Sequence, residues 1–232
     1  MNLLLQIKDI LQNSISIPSH KAAAFFKTGV GHYAADDEFI GVTVPNLRKI
    51  AKKFMFLTLD DLQVLLESKI NEERLLALII LIQKYQTKAA QNKETLYQFY
   101  LQNLKYVNNW NLVDTSAHCI IGAHLWDKDR SVLFDLATSK IFWERRIAIV
   151  ATWYFIRQSD LEWTFNIASL LLCDTHDLIH KAVGWMLREA GKRDQAQLVA
   201  FLDQHLYTMP RTMLRYAIEK FPESMRKSYL IK

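Results

Sequence analysis

Five stretches of this chain repeat one design: a polar or charged turn that runs into an amphipathic segment. They are Glu72–Tyr85, Asn109–Trp126, Trp143–Arg157, His180–Lys192 and Arg211–Phe221. Their starts are 37, 34, 37 and 31 residues apart. A period in that range marks two-helix repeats, slightly shorter than typical HEAT units. One such repeat cannot bury its own apolar stripe, so neighbours must stack. Shorter helical stretches fit between the long ones, as at Leu161–Leu172 and Gln195–His205. The expected architecture is all-α: HEAT-like two-helix repeats stacked into a curved α-solenoid, a single domain over residues 1–232. Such a stack offers a concave face to an extended partner.

The apolar pattern agrees. Leu75, Leu76, Ile79, Ile80 and Ile82 follow helical spacing, as do Ile147, Val150, Ala151 and Tyr154, and no segment alternates as a strand would. With 6 Gly and 4 Pro in 232 residues, turn-formers are too scarce for many short strands. Several residues read as helix boundaries. Asn71 precedes Glu72 and Glu73, Ser159 and Glu162 have capping-box spacing, and Asp174 and Thr175 are candidate caps. Gly191 suits a helix end, and Pro210 a first turn. The long irregular stretch is Thr28–Thr43, with Gly29, Gly31 and Gly41. After it, Pro45 opens a helix bearing Arg48, Lys49, Lys52 and Lys53, either a solvated basic face or one that meets phosphates.

A net charge of +5 suits a polyanionic partner without demanding one. The two cysteines, Cys119 and Cys173, are expected to be buried free thiols. The apolar runs Leu75–Ile82 and Ile147–Ile156 fall short of the ~18 residues of a membrane span. Met1 to Asn13 lacks the apolar centre of a secretory signal, so a cytoplasmic protein is expected, with no membrane partner. The glycines follow no nucleotide-binding order, and no Ser or Cys sits in a nucleophile motif. His176 and His180 have the spacing of a metal pair but no third ligand near in sequence, so capping or solvated histidines are expected. The same discount applies to His118, four residues after Asp114. No metal and no small-molecule cofactor are expected.

The informative residues stand where the long helices begin. In NNWNLVDTSAH, Trp110 and Asp114 are four apart and share a helix face. FWERRIAIVATW places Trp143, Arg145 and Arg146 at the corresponding level, and HKAVGWMLREAGK adds Lys181, Trp185 and Arg188. Any one tryptophan reads more simply as core packing. As a set, flat apolar walls, a carboxylate and cations describe a surface that handles a charged, planar substrate.

GVTVPNLRKIAKKF, NNWNLVDTSAH, WERRIAIVAT and KAVGWMLREAGK resemble blocks of the DNA alkylation repair proteins, the AlkD-type alkylpurine DNA glycosylases, in order and spacing over nearly the whole chain. The resemblance places the family's catalytic aspartate at Asp114 and its cleft tryptophans at Trp110 and Trp185. Counting from Trp143 places its essential arginine at Arg146. Where the family has an N-terminal tyrosine beside the lesion, this chain has Phe25 or Phe26. The resemblance implies a monomeric, monofunctional enzyme that hydrolyses the glycosidic bond of N3- or N7-alkylated purines in duplex DNA. It implies a grip on the backbone rather than a base pocket, for which Arg48, Arg145, Lys181 and Arg188 are the candidate phosphate contacts. The alternative is a non-catalytic HEAT-like scaffold for DNA structures or a protein partner, which needs no Asp114 beside an arginine.

Overall fold

The computed structural model of the protein describes residues 3–87 and 92–231. The expected all-α architecture is met: among the described residues, Glu38 and Ile70 form one isolated bridge and no strand forms. The chain divides into two compact units, Met1–Ser116 and Ala117–Lys232. Along the first lie α1 (Leu3–Gln12), α2 (Ser19–Ala23), α3 (Val44–Lys53), α4 (Leu59–Leu66), α5 (Asn71–Gln86), α6 (Lys93–Gln102) and α7 (Trp110–Ala117). A π-helical turn, His118–Gly122, then precedes α8 (Val132–Ala137), α9 (Phe142–Ala151) and α10 (Trp153–Arg157). The chain ends with α11 (Glu162–Leu170), α12 (Asp177–Gly191), α13 (Gln195–His205), α14 (Arg211–Ala217) and α15 (Glu223–Ile231).

Each unit is organised around one long helix. In the first, α5 packs against α3 and α4, and every residue from Asn71 to Ile82 is buried. Such all-round burial explains why its apolar residues exceed a single stripe. In the second, α12 packs against α9, α11, α13 and α14. Gly122 and Gly184 permit close helix approach in that unit. A Cβ on Gly122 would stand 2.2 Å from the Ala151 carbonyl, and one on Gly184 2.4 Å from that of Met213. Gly184 and Met213 are one crossing in the α12–α14 pair, so a side chain there would force those helices apart.

A recurring turn fixes how three long helices begin. At α5, Ser68 Oγ accepts from the Ile70 amide at 3.1 Å, and Arg74 Nη1 reaches back to the carbonyls of Ser68 (3.0 Å) and Lys69 (3.5 Å). At α9 the same sequence frame, Ser-Lys-Ile-x-x-Glu-Arg, does the same. Ser139 Oγ accepts from Ile141 N at 3.0 Å, while Arg145 Nη1 donates to Ser139 O (2.8 Å) and Lys140 O (3.2 Å). At α12 Asp174 replaces the serine and accepts from His176 N at 2.8 Å, and His180 Nε2 donates to Asp174 O at 2.5 Å. From Ser68 to Ser139 is 71 residues and from Ser139 to Asp174 is 35, so one turn recurs at two repeat lengths and then one. Each closes the orphan amides and carbonyls around a helix start with a polar pair six residues apart.

The irregular stretch Thr28–Thr43 is clamped onto the start of α5. Glu38 donates to Lys69 O at 3.0 Å and accepts from Asn71 N at 2.9 Å. The buried Glu72 carboxylate receives the amides of Ile40 (3.1 Å) and Gly41 (2.8 Å). Gly41 has φ +91°, and a Cβ there would lie 1.8 Å from Ile17 O, so backbone room and handedness both require glycine. Asp37 ties the clamp together: Arg74 Nη2 lies 2.6 Å from Oδ1, and Oδ2 accepts from Asn71 Nδ2 (3.0 Å) and Asn109 Nδ2 (2.7 Å).

Some boundaries differ from the sequence expectation. Ser159 does not open α11, whose N-cap is Leu161. It has φ +62° and ends α10: its amide donates to Ile156 O (3.0 Å), and that of Asp160 donates to Phe155 O (3.0 Å). That is a left-handed helix end with serine where glycine is usual. The cap of α12 is His176, not Asp174 or Thr175; its Nδ1 accepts from Leu178 N at 3.2 Å. Pro210 stands at the cap of α14 rather than in its first turn. Gly191 ends α12 and Pro45 lies in the first turn of α3, both as expected. The segment Trp143–Arg157 is two helices, broken at Thr152, whose hydroxyl donates to Ile149 O at 2.7 Å. The cysteines are not buried as expected: Cys119 is partly exposed and Cys173 exposed.

Candidate DNA-handling surfaces

In the first unit, Trp110 and Asp114 stand one turn apart on α7, both partly exposed. Trp110 caps a column of rings. It stacks on Phe26 at 5.1 Å and 22°, and Phe26 stacks on Phe39 at 4.3 Å and 19°. Phe39 is buried, so the column runs from the interior to Trp110 and fixes the plane of that indole. Phe26 thus supplies a ring face to Trp110 and no hydroxyl. Phe25 is 73% exposed. Behind α7, Ser116 donates to Leu112 O (2.6 Å) and pairs with Tyr100 OH (2.8 Å), which fastens the helix from its inner side.

The cation among these residues of the first unit is Arg48, exposed on α3. Lys49, Lys52 and Lys53 are exposed on the same helix. Neither an ion pair nor a hydrogen bond engages these four side chains among the described residues.

In the second unit the sequence-selected residues separate into buried braces and a partly exposed aromatic group. Arg146 is 5% exposed, and its Nη1 donates to the Leu178 carbonyl, in the first turn of α12. Arg145 donates from Nε to Asp174 Oδ2 at 2.5 Å, and its side chain is 19% exposed against 4% for Asp174. With its further bonds to Ser139 and Lys140, its guanidinium faces the protein. Trp143, at 7% exposure, packs in the core beside Phe142. Lys181 pairs with Asp177 one turn earlier at 2.7 Å. Arg188 meets Glu189 at 3.4 Å and also Glu219.

Trp185 is partly exposed and meets Trp153 edge-to-face, 5.0 Å between centroids at 62°. Trp153 also contacts His118 at 4.6 Å, and the Arg157 guanidinium lies 4.4 Å over its ring. His118, Trp153, Trp185 and Arg157 thus make a continuous aromatic and cationic group, of which sequence reasoning selected Trp185 and weighed His118 only as a metal candidate. The missed signal was the four-residue step from Trp153 to Arg157, one helical turn.

The two histidines of α12 act in its first turn. His176 stacks on Phe142 at 4.0 Å and 13°. Its pKa is pushed below the usual histidine value chiefly by burial; Arg145 and His180 also lower it, against the raising effect of Asp174 and Asp177. His180 is the carbonyl donor described above. Among the described residues, no three His, Cys, Asp or Glu side chains gather as a metal site would require. No helix among them is long and apolar enough to cross a membrane.

A family model described as DNA alkylation repair enzyme matches residues 11–221. A solved structure titled "Predicted DNA alkylation repair enzyme from Enterococcus faecalis" superposes with a TM-score of 0.67. It covers 88% of this chain and 95% of its own at 14% identity, a likeness of fold alone. Comparison with curated protein sequences gave no significant match.

Proposed function

From the premise that the chain belongs to the DNA alkylation repair enzyme family, we propose that it is a monofunctional DNA glycosylase acting on cationic N3- and N7-alkylated purines in duplex DNA. The observation that carries this reading is the pairing on α7 of Asp114 with an indole whose plane is set by the Phe39–Phe26–Trp110 column. A carboxylate one turn from a rigid flat wall suits the sugar of a damaged nucleotide.

Alkylation at N3 or N7 makes the purine a cation, so it leaves neutral, taking the electron pair of the C1′–N bond without protonation. The developing charge falls on the deoxyribose, as in glycoside hydrolysis generally. Water then adds its oxygen to C1′ and releases a proton. The protein must stabilise a cationic sugar and admit that water. Opposite charges about 4 Å apart, at an effective dielectric of about 20, attract by about 4 kcal/mol. If that attraction arises only in the transition state, it gives about a thousandfold in rate. Asp114 is the residue assigned to it, and Trp110 shields it from solvent.

Duplex DNA is gripped by its backbone. Arg48 supplies a phosphate contact in the first unit, and Lys181, Arg188 and the Trp185 face supply contacts in the second. Arg146 anchors the first turn of α12 at Leu178, so its loss disturbs Lys181 and Trp185 together. Arg145 serves chiefly as the brace of Asp174. Release of N7-methylguanine from methylated duplex, with uracil-containing duplex untouched, is the expected activity. Binding without release from either substrate would replace the enzyme with a DNA-binding scaffold.

A further inference from the structure

We infer that a groove between α1 and α3 of the first unit seats one backbone phosphodiester of the duplex, with Lys49 and Lys53 as its cations. The groove encloses about 350 Å³ and is lined by Ile10, Asn13, Ser14, Ile15, Ser16, Asn46, Lys49, Ile50 and Lys53. Among the described residues, no carboxylate lines it.

The sequence of α3, VPNLRKIAKK, contains four cations and no acid. At about 100° per residue, Arg48, Lys52, Lys49 and Lys53 occupy an arc of about 140° on one side of the helix. The opposite side buries Leu47, Ile50 and Ala51. Within the arc, Lys49 and Lys53 are one turn apart and both reach the groove, while Arg48 and Lys52 are not among its lining residues. Two like charges held one turn apart repel each other. Here neither has a carboxylate partner among the described residues, which favours an external anion.

The rim is held in place. Asn46 Nδ2 donates to Ser16 Oγ at 3.0 Å, Ser16 Oγ donates to Ser14 O at 3.1 Å, and Ser14 Oγ donates to Ile10 O at 2.7 Å. The amides of Ser16 and Ile17 both donate to Gly41 O, at 3.0 and 3.1 Å, which ties this rim to the clamped loop. These hydroxyl protons are committed to carbonyls, so charge recognition falls to the two ammonium groups. Ile15, 44% exposed, offers an apolar surface beside them. Ammonium groups next to an apolar strip match the alternation of phosphate and deoxyribose along a nucleic-acid backbone. Such a contact positions the duplex and carries no sequence information.

The proposal rests on the DNA reading of this family but not on glycosylase activity, so its test uses undamaged duplex. Binding is followed by fluorescence anisotropy across a salt series for the wild type, Lys49→Gln/Lys53→Gln, and Lys220→Gln/Lys227→Gln, which removes the same net charge at the chain's other end. Each phosphate neutralised contributes about 0.9 to the slope of log K against log salt. The groove variant should lose about one unit of slope, equally on duplexes of different sequence, and the distal variant almost none. Ile15→Trp, which fills the groove and keeps both lysines, should weaken binding as well, with circular dichroism reporting an intact helix content. Equal slopes for wild type and groove variant would overturn the proposal, as would equal losses in both lysine pairs or normal binding by Ile15→Trp. Inorganic phosphate should displace duplex no better than chloride of equal ionic strength. Heat of phosphate binding that vanishes in the groove variant would instead assign the site to the free anion. Failure to release N7-methylguanine would remove the glycosylase reading and leave this result standing.

Discussion

Arg74→Met tests the clamp that gives the first unit its shape. Methionine keeps much of the buried aliphatic volume but removes a guanidinium bonded to Asp37 at 2.6 Å and to the carbonyls of Ser68 and Lys69. Both charged side chains are 5% exposed, so Asp37 would be left, among the described residues, with Asn71 and Asn109 as neutral side-chain donors. Removing one partner of a buried pair costs about 3–5 kcal/mol, most of it the uncompensated charge left behind. At about 2–4 °C per kcal/mol for a chain of this size, the melting temperature should fall by about 6–20 °C. Asp37→Asn in the same background should recover part of that loss, because the stranded charge is gone while the amide still bonds. Urea unfolding of the two single variants and the double variant gives the coupling energy. Arg145→Met, whose side chain is 19% exposed, should cost less than Arg74→Met. A loss under about 1 kcal/mol for Arg74→Met, or additive effects of the two changes, would refute the clamp as the organiser of this unit.

Trp110→Ala and Trp185→Ala should each lower excision of N7-methylguanine while melting within a few degrees of wild type, since both indoles are partly exposed; a large loss of stability would return them to core packing. At matched folded fraction, Arg146→Ala should weaken DNA binding and excision more than Arg145→Ala, as read by anisotropy and single-turnover release, and the reverse order would move the functional arginine by one residue. His176 has a depressed pKa in the folded protein, so the unfolded chain binds the extra proton first. The stability it contributes is complete above the unfolded value of about 6.5 and is lost as pH falls from there toward the folded pKa. Melts at pH 8, 6 and 5 should show that loss in the wild type and a smaller one in His176→Asn, which keeps a cap acceptor that does not titrate.

Much of the fold was legible because burial in stacked helix pairs leaves a period of about 35 residues in the sequence, and α5, α9 and α12 begin near where that period places them. The turn at their starts was written twice as Ser-Lys-Ile-x-x-Glu-Arg, yet its meaning depends on Asp37 and Asp174, acids 37 and 29 residues from the arginines they meet. Helical spacing alone gives no sign of such partners. Ser159 misled because a serine followed three residues later by a glutamate has capping-box spacing, whereas a left-handed backbone at that serine gives the preceding helix its end. Trp110 and Asp114 were readable as a pair because i and i+4 share a face of α7. Trp153 and His118 were not, since the π-helical turn at His118–Gly122 and the break at Thr152 interrupt the 3.6-residue count on which a face is read. Phe26 was visible only as a missing hydroxyl; that it holds Trp110 by stacking required the fold.

The role of Asp114 is the centre of the account, and single-turnover excision by Asp114→Asn tests it most directly. Asparagine keeps the size and much of the hydrogen-bonding geometry and deletes the charge, so DNA binding should persist. Release of N7-methylguanine at saturating enzyme should slow about a hundredfold or more, the range found when a charge-stabilising group is removed from a reaction centre. Wild-type release by the asparagine variant would contradict the assignment of Asp114 as the carboxylate that stabilises the sugar cation.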